Sequence, residues 1–207
     1  MGRTPAYLAK KYGCTVVGID IREKMIARSR ERAQREGLEG LLEFRVADAQ
    51  ELPFDDALFD VVTTESVVVM ILDQEKALSE FMRVLKPGGY VGLNEATWQK
   101  EPTPDLEQYL RSIWGADINM HDAAGYRGLL EGAGLHDVVA QVHPISASSE
   151  TRSRFKRIGY GNVLRMWGKA LSMLRNRQEY RDFLKTAFST PKAIISYWAA
   201  GIYVGRK

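Results

Sequence analysis

Apolar positions over the first hundred residues repeat in two alternating ways. Short, nearly unbroken apolar runs have the length of strands buried on both faces: CTVVGID ending at residue 20, LLEFRVAD ending at 48, an apolar run ending TTE at 65, and YVGLNEA ending at 96. Between them the apolar residues recur at helical spacing. REKMIARSRERAQREG sets Met25, Ile26 and Ala33 among charges and stops at Gly37, and DQEKALSEFMRVL, capped by Asp73, aligns Leu78, Phe81, Met82 and Leu85 before KPGG ends it. At the start, Thr4 suits a helix cap, Pro5 the first helical position and Gly13 the residue after the last turn, which predicts a helix over 5–12. Past residue 97, QKEPTP leads to helical segments near 105–114 and 122–132, then a strand HDVVAQVHPI, a basic helical segment, and a last strand AAGIYVGRK. Strands alternating with helices predict an open, doubly wound α/β domain with a mostly parallel sheet and an antiparallel C-terminal edge.

The first helix poses a problem. A helix in that position normally crosses over from an earlier parallel strand, and only four residues precede it. A strand is missing from the pattern.

Composition narrows the class without naming it. With 207 residues, 45% apolar and 27% charged, the chain fits a single soluble domain over 1–207. One cysteine, Cys14, makes neither an internal disulfide nor a multi-cysteine metal site, and it points to a reducing compartment, the cytoplasm by default. His136 and His143 lie seven apart on a strand, on opposite faces, so no metal site is expected. The net charge of +3 is uneven: residues 151–185 hold ten Lys or Arg against Glu179 and Asp182, a local +8 that leaves −5 elsewhere. Tyr160, Val163, Leu164, Trp167, Leu171 and Leu174 recur there at helical spacing. This helical insertion, within 150–190, reads as a lid over an acceptor pocket, as an amphipathic helix making weak contact with an anionic membrane surface, or as a solvated helix packed on the sheet. Nucleic acid is not expected as a partner, because no recognised binding module is present.

In doubly wound sheets a ligand binds beyond the carboxyl ends of the strands. Four polar ends converge there: Asp20, Asp48 with Ala49, Glu65 with Ser66, and Asn94 with Glu95. A carboxylate such as Asp20 is placed to accept from both hydroxyls of a ribose. Asp48 can accept from an exocyclic amino group while the next backbone N–H donates to a ring nitrogen, which together recognise adenine, with Ile21, Met25 and Leu52 as apolar neighbours.

GIDIREKMI, then VADAQELPFDDALFDVV, then LKPGGY followed by a strand, in that order, resemble the class I S-adenosylmethionine-dependent methyltransferases, in particular the branch similar to ubiquinone and menaquinone biosynthesis methyltransferases. The resemblance covers residues 2–96. It implies a Rossmann-like fold, S-adenosylmethionine as cofactor and a small-molecule methyl acceptor. It also implies roles: Gly2 as the last glycine of the glycine-rich loop, Asp20 on the ribose, Ile21 and Met25 against adenine, Asp48 and Ala49 on its edge, and Glu65 in the cofactor site. If the acceptor must lose a proton, Glu65, Glu95 and His121 are the candidate bases. Trp98 follows the strand near Glu95 and reads either as pocket lining or as core.

The family's usual first strand and most of its glycine loop have no counterpart here. That strand would sit between those ending at Asp20 and Glu65, and with strands about 4.8 Å apart its loss opens a gap of about 10 Å. Either the two strands close up, or another chain fills the slot, or the start at Met1 is internal to a longer protein, which is the favoured expectation; binding of the cofactor would then be impaired. The competing function is a non-catalytic, methyltransferase-like scaffold or partner subunit. A dinucleotide oxidoreductase fits VADAQELPF and LKPGG less well.

Overall fold

The computed structural model describes residues 1–114, 118–145 and 196–207; the basic insertion at 150–190, with its lid reading, lies outside them. In chain order the elements are α1 (Arg3–Tyr12), β1 (Val16–Asp20), α2 (Glu23–Glu36), β2 (Leu42–Val46), β3 (Phe59–Glu65), a 3-10 turn (Val68–Met70), α3 (Gln74–Val84), β4 (Leu85–Trp98), α4 (Pro104–Trp114), α5 (Ala123–Gly132), β5 (His136–Pro144) and β6 (Trp198–Arg206).

The strands form two sheets. β1 and β2 pair in parallel, and a four-stranded sheet runs in the order β3-β4-β6-β5. β3 is parallel to β4, and β6 is antiparallel to both β4 and β5. β1 and β3 do not close up on each other, the first of the three alternatives: among the described residues no ladder joins them. α1 precedes both sheets in the chain and is tied to both. Its Ala6 and Ala9 pack with Ile26, Ala33, Leu38, Leu42 and Phe44 in a small core under β1 and β2, while its Thr4 hydroxyl donates to Glu65 Oε1 at 2.8 Å, at the end of β3. A larger core holds Leu78, Phe81, Leu85, Leu93, Tyr126, Leu130, Leu135 and Tyr203, and Ile19 of β1 packs against it. Each large apolar side chain buried in this way contributes about 1.5–3 kcal/mol.

Two local expectations are corrected. Thr4 does not cap α1: the cap is Gly2, in the left-handed region at φ 66°, and Thr4 lies inside the helix with its hydroxyl committed to Glu65. Position 2 favours glycine on two counts, since a Cβ there would also stand 3.2 Å from the Cβ of Ser29. KPGG, in turn, does not separate helix from strand. β4 starts at Leu85 and carries the motif as an irregularity in its pairing with β3 between Phe59 and Val61, after which Tyr90–Asn94 run in register with Val61–Glu65.

Candidate functional site

Parallel pairing fixes the first half of the site. Asp20 is opposite Val46 at the end of the β1–β2 ladder, so Asp20 and Asp48 emerge from neighbouring strand tips on the same edge. Both are half-buried. Asp20 Oδ1 accepts from the Arg22 backbone N–H at 2.8 Å, a turn that aims the chain into α2. Asp48 Oδ1 accepts from Gln50 N at 2.9 Å, and Gln50 Nε2 lies 3.3 Å from both carboxylate oxygens. Ile21, beside Asp20, is 68% exposed, although apolar, and Met25 is half-buried one turn along α2. Ala49 packs against the large core.

The N-terminal segment is held by α2 and by the end of β3. Arg32 Nε of α2 donates to Met1 O at 2.7 Å, Gly2 lies against Ser29, and Thr4 reaches Glu65. Glu65 is exposed, and Ser66 next to it takes a left-handed φ of 53° that turns the chain sharply away from β3. Gly2 and Glu65 are thus held at the N-terminal end of α1, and Asp20 and Asp48 at the tips of β1 and β2.

Glu95 and His121, the other two candidate bases, are held differently. Glu95 is 1% exposed. Its Oε1 accepts from Thr64 Oγ1 at 3.0 Å and from Val67 N and Val68 N at 3.1 Å each, and its Oε2 accepts from Val69 N at 3.4 Å. Burial pushes its pKa up, and the donated hydrogen bonds oppose that shift. These contacts make Glu95 an anchor for the loop after β3, satisfying successive N–H groups that open the 3-10 turn.

His121 belongs to a second polar cluster. Gln74 Nε2 donates to Val68 O and to Asn119 O, both at 2.8 Å, so its Oε1 is the acceptor facing His121 Nε2 at 2.6 Å. In the neutral imidazole the proton is therefore on Nε2, and burial lowers the pKa of the ring, against the opposing charge of Asp122. Its basic atom, Nδ1, faces α5: a Cβ added at Gly125 would lie 3.1 Å from it. Asn119 Nδ2 extends the cluster to Ile71 O and Leu72 O at 3.0 and 3.2 Å. Gln74 and Asn119 were not singled out by sequence reasoning. The signal for Gln74 was present, because it shares the buried face of α3 with Ala77, Leu78 and Phe81, where an amide must find partners.

Trp98 is half-buried in a satellite cluster with Leu106, Leu110 and Trp198, its ring centroid 6.4 Å from that of Trp198. Among the described residues, no group of three or more His, Cys, Asp or Glu is placed to hold a metal ion, and no helix is long and apolar enough to cross a membrane.

Residues 1–93, which contain Asp20, Asp48 and Glu65, match the family model of a methyltransferase domain. Over these residues the chain is similar to a methyltransferase domain. The domain's relatives include phosphoethanolamine N-methyltransferase 1 of Zea mays, 34% identical over 135 residues, covering 65% of this chain and 26% of the relative. A glycine/sarcosine/dimethylglycine N-methyltransferase of Actinopolyspora halophila is 29% identical over 193 residues, 89% of this chain and 31% of the relative. The chain thus spans about a quarter to a third of the length of these two relatives. Among solved structures, a Haemonchus contortus phosphoethanolamine N-methyltransferase 2 in complex with S-adenosyl-L-methionine superposes with a TM-score of 0.73 at 21% identity, over 100% of this chain and 46% of that one. At that identity the likeness establishes the Rossmann-like α/β fold of the methyltransferase domain.

Proposed function

We propose that the protein transfers a methyl group from S-adenosylmethionine to a small-molecule acceptor. The observation that carries this reading is the placement of two half-buried carboxylates, Asp20 and Asp48, on adjacent tips of one parallel pair. Asp20 is positioned for the ribose hydroxyls, and Asp48 with the Ala49 N–H for the adenine edge. Ile21 supplies an exposed apolar surface for the flat base, with Met25 beside it. Gly2, at the start of α1, lets the backbone approach closely, and Glu65 closes the same edge. The domain's relatives include proteins named as N-methyltransferases of phosphoethanolamine and of glycine, sarcosine and dimethylglycine, so small amines come first in an acceptor screen, followed by quinone-type and phenolic compounds.

When bound, the sulfonium supplies an activated methyl group, and no protein nucleophile is needed. The protein's work is to hold the acceptor in line and keep water out, which contributes up to about 7–11 kcal/mol in well-oriented cases. Glu65 is the candidate for taking a proton from the acceptor, since Glu95 and His121 are committed to the contacts above.

Calorimetric titration with S-adenosylmethionine tests the reading. Asp20→Ala and Asp48→Ala should each weaken binding by about tenfold or more, in keeping with the loss of charge-assisted hydrogen bonds. Unchanged affinity in both variants overturns the assignment. The same titration on a form extended before Met1 by a strand and glycine loop separates the two functional readings: tighter binding by the extended form fits an impaired enzyme, and binding by neither fits a non-catalytic scaffold.

A further inference from the structure

The segment between β2 and β3 carries the pair assigned to adenine, Asp48 and the Ala49 N–H, and the bonds within that turn do not place it. Among the described residues the Asp48 carboxylate accepts only from Gln50, and Glu51 N donates back to Asp48 O at 3.1 Å. The turn is closed on itself, so its position is set by whatever holds its two ends. One end leaves the β1–β2 ladder, where Ala47 N donates to Asp20 O at 3.3 Å. The other end is held by α3.

Leu52 gives both of its main-chain groups to one half-buried ion pair of that helix. Leu52 N donates to Glu80 Oε2 at 2.8 Å, and Leu52 O accepts from Arg83 Nη2 at 3.0 Å. Arg83 meets Glu80 in a two-pronged pair, Nε to Oε1 at 2.7 Å and Nη2 to Oε2 at 2.8 Å, while its Nη1 donates to Phe54 O and to Asp56 Oδ1, both at 2.8 Å. All the N–H groups of the guanidinium are thus in use, and its planar fork fixes direction as well as distance. Bonds from Ala57 N to Arg83 O and from Leu58 N to Val84 O continue the seam, and the Leu52 side chain is buried in the large core. We infer that Glu80 and Arg83 are positioning residues for base recognition, holding the Asp48–Ala49 turn where a 6-aminopurine is accepted and a 6-oxopurine is refused. This role rests on the reading of Asp48 and Ala49 given above, and the pair acts through the loop. Adenine offers an amino donor and a ring-nitrogen acceptor, which match a carboxylate and an N–H. Hypoxanthine presents an oxo acceptor and a ring N–H donor, which oppose both. Such discrimination needs both partners in place, so it is lost when the loop shifts even where apolar and ribose contacts persist.

Calorimetric titration of the full chain with S-adenosylhomocysteine and with its deaminated counterpart, S-inosylhomocysteine, reads the preference directly. The ratio of the two affinities does not depend on the fraction of folded protein, so a merely destabilising substitution leaves it unmoved. The native protein should favour the adenine form by about tenfold or more. Arg83→Ala should bring the ratio to within about threefold, with Arg83→Lys, which keeps the charge but not the fork, in between. Asp48→Ala should lower the ratio as far, and Arg83→Ala added to it should lower it no further, because the arginine acts through that carboxylate. Amide hydrogen exchange at Glu51 and Leu52 should quicken about tenfold or more in Arg83→Ala, with the β4 amides unchanged. If Arg83→Ala fails to fold, Arg83→Lys and Glu80→Gln make the same test. A native-like ratio in the folded Arg83 variant, or a further fall when it is added to Asp48→Ala, overturns the positioning role and leaves the reading of Asp48 standing. A native protein without the preference overturns the adenine reading and the positioning role together.

Discussion

At the scale of single residues, the carboxylate of Glu95 shows how position along a strand misleads. The sequence pattern sets it at a strand end, which suggests chemistry, but β4 continues to Trp98 and four donors surround the carboxylate in the interior. Glu95→Ala should strand the N–H groups of Val67, Val68 and Val69 and destabilise the fold by about 2–4 kcal/mol in urea unfolding, with Glu95→Gln milder. A second carboxylate governs acid stability. Glu80 is held down to about 2 chiefly by its hydrogen bond with Arg83, which also binds Asp56 and the carbonyls of Leu52 and Phe54. Because the folded value lies below the unfolded one, this stabilisation is complete above about pH 4.5 and is lost as pH falls toward 2. Stability measured from pH 6 to pH 3 should therefore decline in the native protein and stay flatter in Arg83→Ala. The strand-tip acids Asp20 and Asp48 were legible from sequence because strands end visibly, with turn residues following an apolar run. Thr4–Glu65 and Gln74–His121 were not, since they join positions 61 and 47 apart, and no periodicity encodes a long-range hydrogen bond.

Elements were read more reliably than their ends. Helices α2, α3 and α5 and strands β1, β5 and β6 lie within a residue or two of the apolar patterns that predict them, because each buries one face or both on a single core. β4 is the exception, running 14 residues from Leu85 to Trp98. Proline and two glycines read as a stop, yet at a sheet margin they are accommodated as a break in register, with Gly89 so close to β3 that a Cβ would lie 2.7 Å from Asp60 O. The β1–β2 unit depends on a similar close fit. A Cβ at Gly18 would come within 2.8 Å of the ring of Phe44, which is buried in the small core. Gly18→Ala should cost about 1–3 kcal/mol through overpacking, seen as a lower urea midpoint, and Phe44→Leu in the same chain should recover part of it.

For the whole molecule, the sequence pattern foretold a gap in the strand series, and the structure turns that gap into a division between two sheets. The larger sheet joins four strands around the main core, whereas β1 and β2 rest on seven small and medium apolar residues and on α1. Native-state hydrogen exchange should accordingly find the amides of β1 and β2 opening at lower free energy than those of β4 and β6, as separate cooperative groups. At the start of α3 the opposite holds. A single amide, that of Gln74, fastens the carbonyls at positions 68 and 119 and the imidazole at 121 to the first turn of α3. Asn119 adds its own bonds to the carbonyls of Val69, Ile71 and Leu72, so any rearrangement there to admit or release a small molecule must carry both segments together or first break these ties.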